Sequence, residues 1–132
     1  MNRIVRALMN KVLGRAGERL AARHLRRAGM RILVWNYSAP SGEIDLIARD
    51  GDYLVFVEVK TRRSGIPAEA VTPEKQRRIT LAALHFLRRH RALEVRSRFD
   101  IVAIVWPVGS SKPSIDHLRN AFEAVGRGQM FR

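Results

Sequence analysis

Two apolar runs joined by a short polar turn constrain this chain more than any other feature. The first is Gly42-Glu43-Ile44-Asp45-Leu46-Ile47-Ala48, and the second is Tyr53-Leu54-Val55-Phe56-Val57-Glu58-Val59-Lys60-Thr61. Arg49-Asp50-Gly51-Asp52 lies between them. Both flanks are rich in β-branched, aromatic and aliphatic residues, and Asp-Gly is a strong hairpin signal. Runs this apolar suit a central sheet covered on both faces. Yet Asp45 interrupts one run, and Glu58 and Lys60 the other. Charges in such strands are costly unless they are paired or coordinated.

Register decides whether those charges meet. With Asp50-Gly51 as a two-residue loop, Asp45 falls opposite Phe56 and Glu43 opposite Glu58. Side chains alternate between faces and opposed residues share one. Glu43, Asp45, Phe56, Glu58 and Lys60 therefore point the same way. Asp45 and Glu58 become diagonal neighbours roughly 7–8 Å apart. Two carboxylates so spaced can converge on one small cation. Hard oxygen ligands suit Mg²⁺ or Mn²⁺, which takes one or two carboxylates plus water and phosphate oxygens. An Asp followed on the next strand by Glu-x-Lys is the skeleton of a metal-dependent nuclease site. In it Asp45 and Glu58 hold metal, and Lys60 stabilises phosphate charge or helps deprotonate water.

Four segments carry a resemblance: Gly14-Arg15-Ala16-Gly17-Glu18, Gly42 to Ile47, Val55 to Arg62, and Arg98-Phe99-Asp100-Ile101-Val102. In this order they resemble the successive blocks of the YraN-like family of uncharacterised, endonuclease-like bacterial proteins, over about Lys11 to Val125. The resemblance implies an α/β fold with the restriction-endonuclease-like αβββαβ core and a mixed central sheet flanked by helices. It also implies a PD-(D/E)-x-K site. Asp45, Glu58 and Lys60 match its metal and catalytic positions, and Glu18 matches the acidic residue on the first helix that completes such sites. The proline of that motif is absent, because Ile44 precedes Asp45. No substrate comes with the resemblance.

The charge balance points to a polyanion. Among 132 residues the net charge is +13 and the pI about 11.6. Arg outnumbers Lys by 21 to 4, and guanidinium favours forked contacts to phosphate. Nucleic acid is the expected partner, DNA ahead of RNA, with an anionic membrane surface as the lesser rival. There are no cysteines, which excludes disulfides, thiolate zinc sites and cysteine nucleophiles and is compatible with the cytoplasm. No apolar run has transmembrane length, and no signal-peptide pattern stands at the N-terminus.

The expected organisation is one domain over residues 11–125. A basic amphipathic arm at 1–10 precedes it, and a basic, disordered tail at 126–132 follows. Residues 3–28 have helical spacing, softened by Gly14 and Gly17 and closed at Gly29. Without the resemblance, Glu18 reads as a surface ion-pair residue. His24 reads as a boundary histidine. A short strand follows at 31–36, with Trp35 read as core ahead of a base-stacking alternative, and then a loop from Tyr37 to Gly42. Stacking on bases is open to Tyr37.

Past the second run, Arg62 and Arg63 are candidates to hold phosphates, with a solvated charge pair as the equal alternative. Thr72-Pro73 opens a second helix running to about His90. Its first turn carries Lys75 and Gln76, followed by Arg77 and Arg78. All four are candidate nucleic-acid contacts at an anion-favouring helix start. A capping role for Gln76 stays open. Residues 98–106 form another buried strand in which Asp100 either orients an active-site group or, the preferred reading, pairs with a nearby Arg. Ile115, Leu118, Phe122 and Val125 suggest a final helix over 114–125. The expected function is metal-dependent phosphodiester hydrolysis. The alternative is a non-catalytic nucleic-acid-binding module of the same fold. A small nuclease cutting two strands often works as a homodimer, which edge strands or the N-terminal arm could support.

Overall fold

A computed structural model describes residues 2–65 and 71–124. The elements run α1 (Arg3–Arg27), β1 (Arg31–Ala39), β2 (Gly42–Asp50), β3 (Tyr53–Arg62), α2 (Pro73–Arg89), β4 (Ser97–Val105) and β5 (Ser114–Phe122). The strands form one sheet in the order β1-β2-β3-β4-β5. Only β3 and β4 are parallel. That pair requires a crossover, which α2 supplies. The result is a mixed α/β fold with a five-stranded sheet and two helices.

Each helix covers one sheet face, and alternation along the strands sorts the core accordingly. On the α2 face, Ile47, Phe56, Phe99 and Ile101 pack with Ile79, Ala83, Phe86 and Leu87. On the α1 face, Leu46, Val55, Val57 and Val102 pack with Ala21, Ala22 and Leu25. Thr72 caps α2 by accepting from the Lys75 N–H at 3.3 Å, with Pro73 at the first helical position. Helix α1 runs unbroken through Gly14 and Gly17, capped by Asn2. The side chains of Ile4, Leu8 and Val12 in its early turns are exposed.

Four expectations require correction. Residues 114–122 form an edge strand rather than a helix. Ile115 packs on the α1 face, whereas Leu118 and Phe122 pack on the α2 face. A spacing of three then four residues thus imitates a helix while serving both faces of a sheet. The β1 strand continues through Tyr37 to Ala39, so only Pro40-Ser41 remains as the turn into β2. Trp35 is 41% exposed rather than core, because β1 is an edge strand. Finally, the β2–β3 turn is Gly51-Asp52, with Asp50 paired to Tyr53. Gly51 takes φ +58° at the first turn position, where a residue with a Cβ is disfavoured. The expected tail at 126–132 lies outside the described residues.

Candidate metal and phosphate site

The register slips by two residues from the expected one, and two is the period of a strand. Alternation along β3 is therefore preserved and the two acids move closer, but β2 breaks step at Asp45, with Ile44 and Ile47 on the α2 face and Leu46 on the α1 face. The β2–β3 ladder ends at Leu46 opposite Val57, one residue before Asp45 and Glu58. Beyond it, Asp45 Oδ2 accepts the Val59 N–H at 2.7 Å. A carboxylate thus takes over from the backbone where the strands part. Glu58, the next residue of β3, is 4% exposed. Its Oε1 lies 2.9 Å from Lys75 Nζ and 3.8 Å from Lys60 Nζ. Lys75 reaches it from the first turn of α2.

Glu18 enters from α1. The helix can come this close because Gly17 lies against β3, where a Cβ would overlap Thr61 Oγ1. Asn36 on β1 hydrogen-bonds the Glu18 side chain. Asn36 itself has φ +51°, a left-handed conformation that Asn tolerates better than most residues.

These groups are electrostatically at odds. Burial first, and then the neighbouring Glu58 charge, push the Asp45 carboxyl up to about 8. Burial also raises Glu18, reinforced by Glu58 and Glu43 and opposed by the Asn36 bond. Burial lowers the Lys60 ammonium to about 8, aided by its neighbour Lys75. For Lys75, burial acts downward but contacts with Lys60 and Glu58 outweigh it, leaving the group raised. A proton or cation shared among the carboxylates would relieve their repulsion.

Asp45 and Glu58 offer the hard oxygen donors that a divalent cation takes. Among the described residues no group of three or more His, Cys, Asp or Glu side chains stands together as a metal cage. The candidate holders are therefore the Asp45–Glu58 pair, an arrangement compatible with Mg²⁺, which retains water.

The remaining candidates divide. Arg62 is exposed beside Lys60, and Arg77 is exposed on α2. Arg63 donates to the Trp106 carbonyl at 3.1 Å. Arg78 pairs with Glu74 at 3.1 Å. Gln76 donates to the Val71 carbonyl at 3.1 Å, tying down the entry to α2. Glu43 is exposed. Tyr37 is buried, its hydroxyl 2.6 Å from His85 Nδ1, which removes it as a stacking surface. Asp100 belongs to a separate ion network. Asn36 escaped sequence reading. Its one signal there is an Asn between strand residues, tolerant of positive φ.

A family model described as "Uncharacterised protein family UPF0102" matches residues 17–104. The chain belongs to UPF0102. A UPF0102 protein of Rhodococcus opacus is 54% identical over 116 residues, covering 86% of this chain and 98% of the relative. One from Geobacter sulfurreducens is 51% identical over 117 residues, covering 86% and 91%. One from Syntrophus aciditrophicus is 47% identical over 131 residues, covering 94% and 99%. The UPF0102 match starts at Gly17, the residue that lets α1 approach β3. It takes in Glu18, Asn36, Asp45, Glu58, Lys60 and Lys75 and ends within β4, so β5 lies outside it.

Proposed function

We propose that this UPF0102 protein is a metal-dependent nuclease with a restriction-endonuclease-like core. The observation that carries the reading is the convergence of the destabilised Asp45 carboxyl and the buried Glu58 carboxylate beside two lysines. The order α-β-β-β-α-β of the first six elements supports it, as does the resemblance of Asp45, Glu58 and Lys60 to a PD-(D/E)-x-K set. The charge of +13 supports nucleic acid as the substrate.

When bound, Mg²⁺ or Mn²⁺ supplies a Lewis acid for the phosphate and acidifies a coordinated water. The protein's own groups do the rest. Asp45 and Glu58 would hold the cation, which would offset their mutual repulsion. Lys60, neutral in part near pH 8, takes a proton from the attacking water. Lys75 balances Glu58 and is within the same cluster to meet phosphate charge. Glu18, oriented by Asn36, assists from the α1 side. Arg62 and Arg77 are the exposed candidates for flanking phosphates.

Purified protein tested against single-stranded, duplex and branched DNA and RNA is expected to cleave at least one class with Mg²⁺ or Mn²⁺. Asp45→Asn should reduce that rate by about a thousandfold or more, the scale of losing metal stabilisation of the transition state. Intact substrates throughout, with tight binding retained, would overturn the reading.

One observation favours a second reading, a non-catalytic nucleic-acid-binding module. Lys60 and Lys75 already flank Glu58, so the cluster has cations of its own. That reading predicts salt-sensitive binding indifferent to chelators.

A further inference from the structure

We infer that Trp35 and an arginine stripe on α1 form a binding groove for unpaired nucleotides beside the carboxylate cluster. The inference rests on the reading of this chain as a nucleic-acid-binding protein and specifies which form of nucleic acid it takes.

Arg15, Arg19, Arg23, Arg26 and Arg27 recur at helical spacing, which puts them along one side of α1. Gly17, Ala21, Ala22 and Leu25 dock the helix, leaving that side exposed. The last four arginines line a groove of about 520 Å³ together with Trp35. Among the described residues, none of them is in an ion pair with a carboxylate. The Arg26 guanidinium lies over the indole, 5.9 Å from its centroid. A large aromatic ring 41% exposed on an otherwise cationic surface is costly in water unless something covers it.

Base faces and phosphates match these two features together. An indole stacks on any base, and arginines track the backbone without reading sequence. In a duplex the base faces are hidden by their neighbours, so an unpaired nucleotide is the form that fits. A lipid headgroup would meet the arginines, but the exposed apolar residues of α1, Ile4, Leu8 and Val12, lie outside this groove, whose one apolar group is Trp35.

The groove also leads to the site. Trp35 pairs with Leu46, the neighbour of Asp45. The next residue, Asn36, holds Glu18. Arg15, at the other end of the stripe, lies close enough to Glu18 to act on its charge. The groove therefore adjoins Asn36 and Glu18, the α1 side of the carboxylate cluster.

The test uses Trp106→Phe protein, in which Trp35 is the only tryptophan, with chelator present so that nothing is cleaved. Oligothymidylate should quench Trp35 emission saturably. In wild-type background, Trp35→Ala should weaken oligothymidylate binding by about tenfold, with Trp35→Phe retaining most affinity. Blunt duplex binding should change by less than about twofold. Absent quenching, an equal loss on duplex, or a Trp35 response to phosphatidylglycerol vesicles in place of oligonucleotide would each overturn the inference. The quenching arm needs no change at Trp35, so a folding defect in Trp35→Ala leaves the test intact. Unaltered single-strand binding by Trp35→Ala alongside Mg²⁺-dependent cleavage would sink this inference alone. Quenching with no cleavage of any substrate would sink the nuclease reading alone.

Discussion

Two charged clusters lie in the same sheet, and they are wired in opposite ways. At one, Asp100 is fully buried and every bond it makes favours its charge. Arg98 Nε donates to it at 3.0 Å, His117 Nε2 at 2.8 Å and the Asn120 N–H at 2.9 Å. Arg98 also reaches Asp50 at 2.8 Å. Burial alone would raise Asp100, but these donors outweigh it and hold the carboxyl below its ordinary value. At the other cluster, Asp45 has one backbone donor and acidic neighbours, and its carboxyl is driven up to about 8. The first cluster stabilises the protein as it stands. The second is held together by the surrounding fold. Perturbed carboxylates of the second kind are the ones to suspect of function.

The largest contrast should come from deleting each acid. Asp100→Ala removes the buried acceptor shared by Arg98, His117 and the Asn120 N–H and should cost about 3–5 kcal/mol in denaturant unfolding. Asp45→Asn removes a repelled charge, and its stability should match or exceed wild type at pH 8. A loss in Asp45→Asn as large as that in Asp100→Ala would erase the distinction. Next in size, Gly17→Ala forces α1 away from Thr61 and should cost about 1–3 kcal/mol. Thr61→Ala in the same chain should restore much of it. Removing one donor from the satisfied cluster, as in His117→Phe, should cost about 1.5–3 kcal/mol. Arg119→Ala should fall within about 0.5 kcal/mol of wild type, since its 3.5 Å contact with Asp50 is largely exposed.

The pH dependence sharpens the same comparison. Asp45 has a folded pKa of about 8, raised above its ordinary 3.8. The native state then binds the extra proton, so stability falls as pH rises from about 4 to 8. Lys60 has a folded pKa lowered from 10.5 to about 8. Its penalty is complete below pH 8 and is relieved as pH rises toward 10.5. Asp100 has the opposite sign from Asp45. Its contribution is present above pH 4 and lost as pH falls through its depressed value. Asp45→Asn should therefore flatten the fall between pH 4 and 8 and leave the acid limb intact.

The face shared by Phe56 and Glu58 was legible in the sequence because a two-residue slip leaves alternation along β3 unchanged. Thr72-Pro73 likewise marked the α2 start that delivers Lys75. The break of alternation at Asp45, which puts Ile44 and Ile47 on one face, was not legible. The Asp45–Val59 bond was not legible, since it depends on where two strands part. Asn36 was hidden for a similar reason: its role arises from a backbone conformation. Ile115, Leu118 and Phe122 misled because they serve two sheet faces at helical spacing. Trp35 misled because composition cannot reveal that its strand lies at an edge.

We propose that Asp45 and Glu58 form a cation site held ready by mutual repulsion. Calorimetric titration of the protein with Mg²⁺ at pH 7, repeated in buffers of different ionisation enthalpy, tests it most directly. Metal binding to a carboxyl whose pKa is about 8 must displace its proton. The prediction is saturable binding with release of about one proton per Mg²⁺, both lost in Asp45→Asn. No binding, or binding that persists unchanged in Asp45→Asn without proton release, would contradict the claim and leave Asp45, Glu58 and Lys60 as a structural charge cluster.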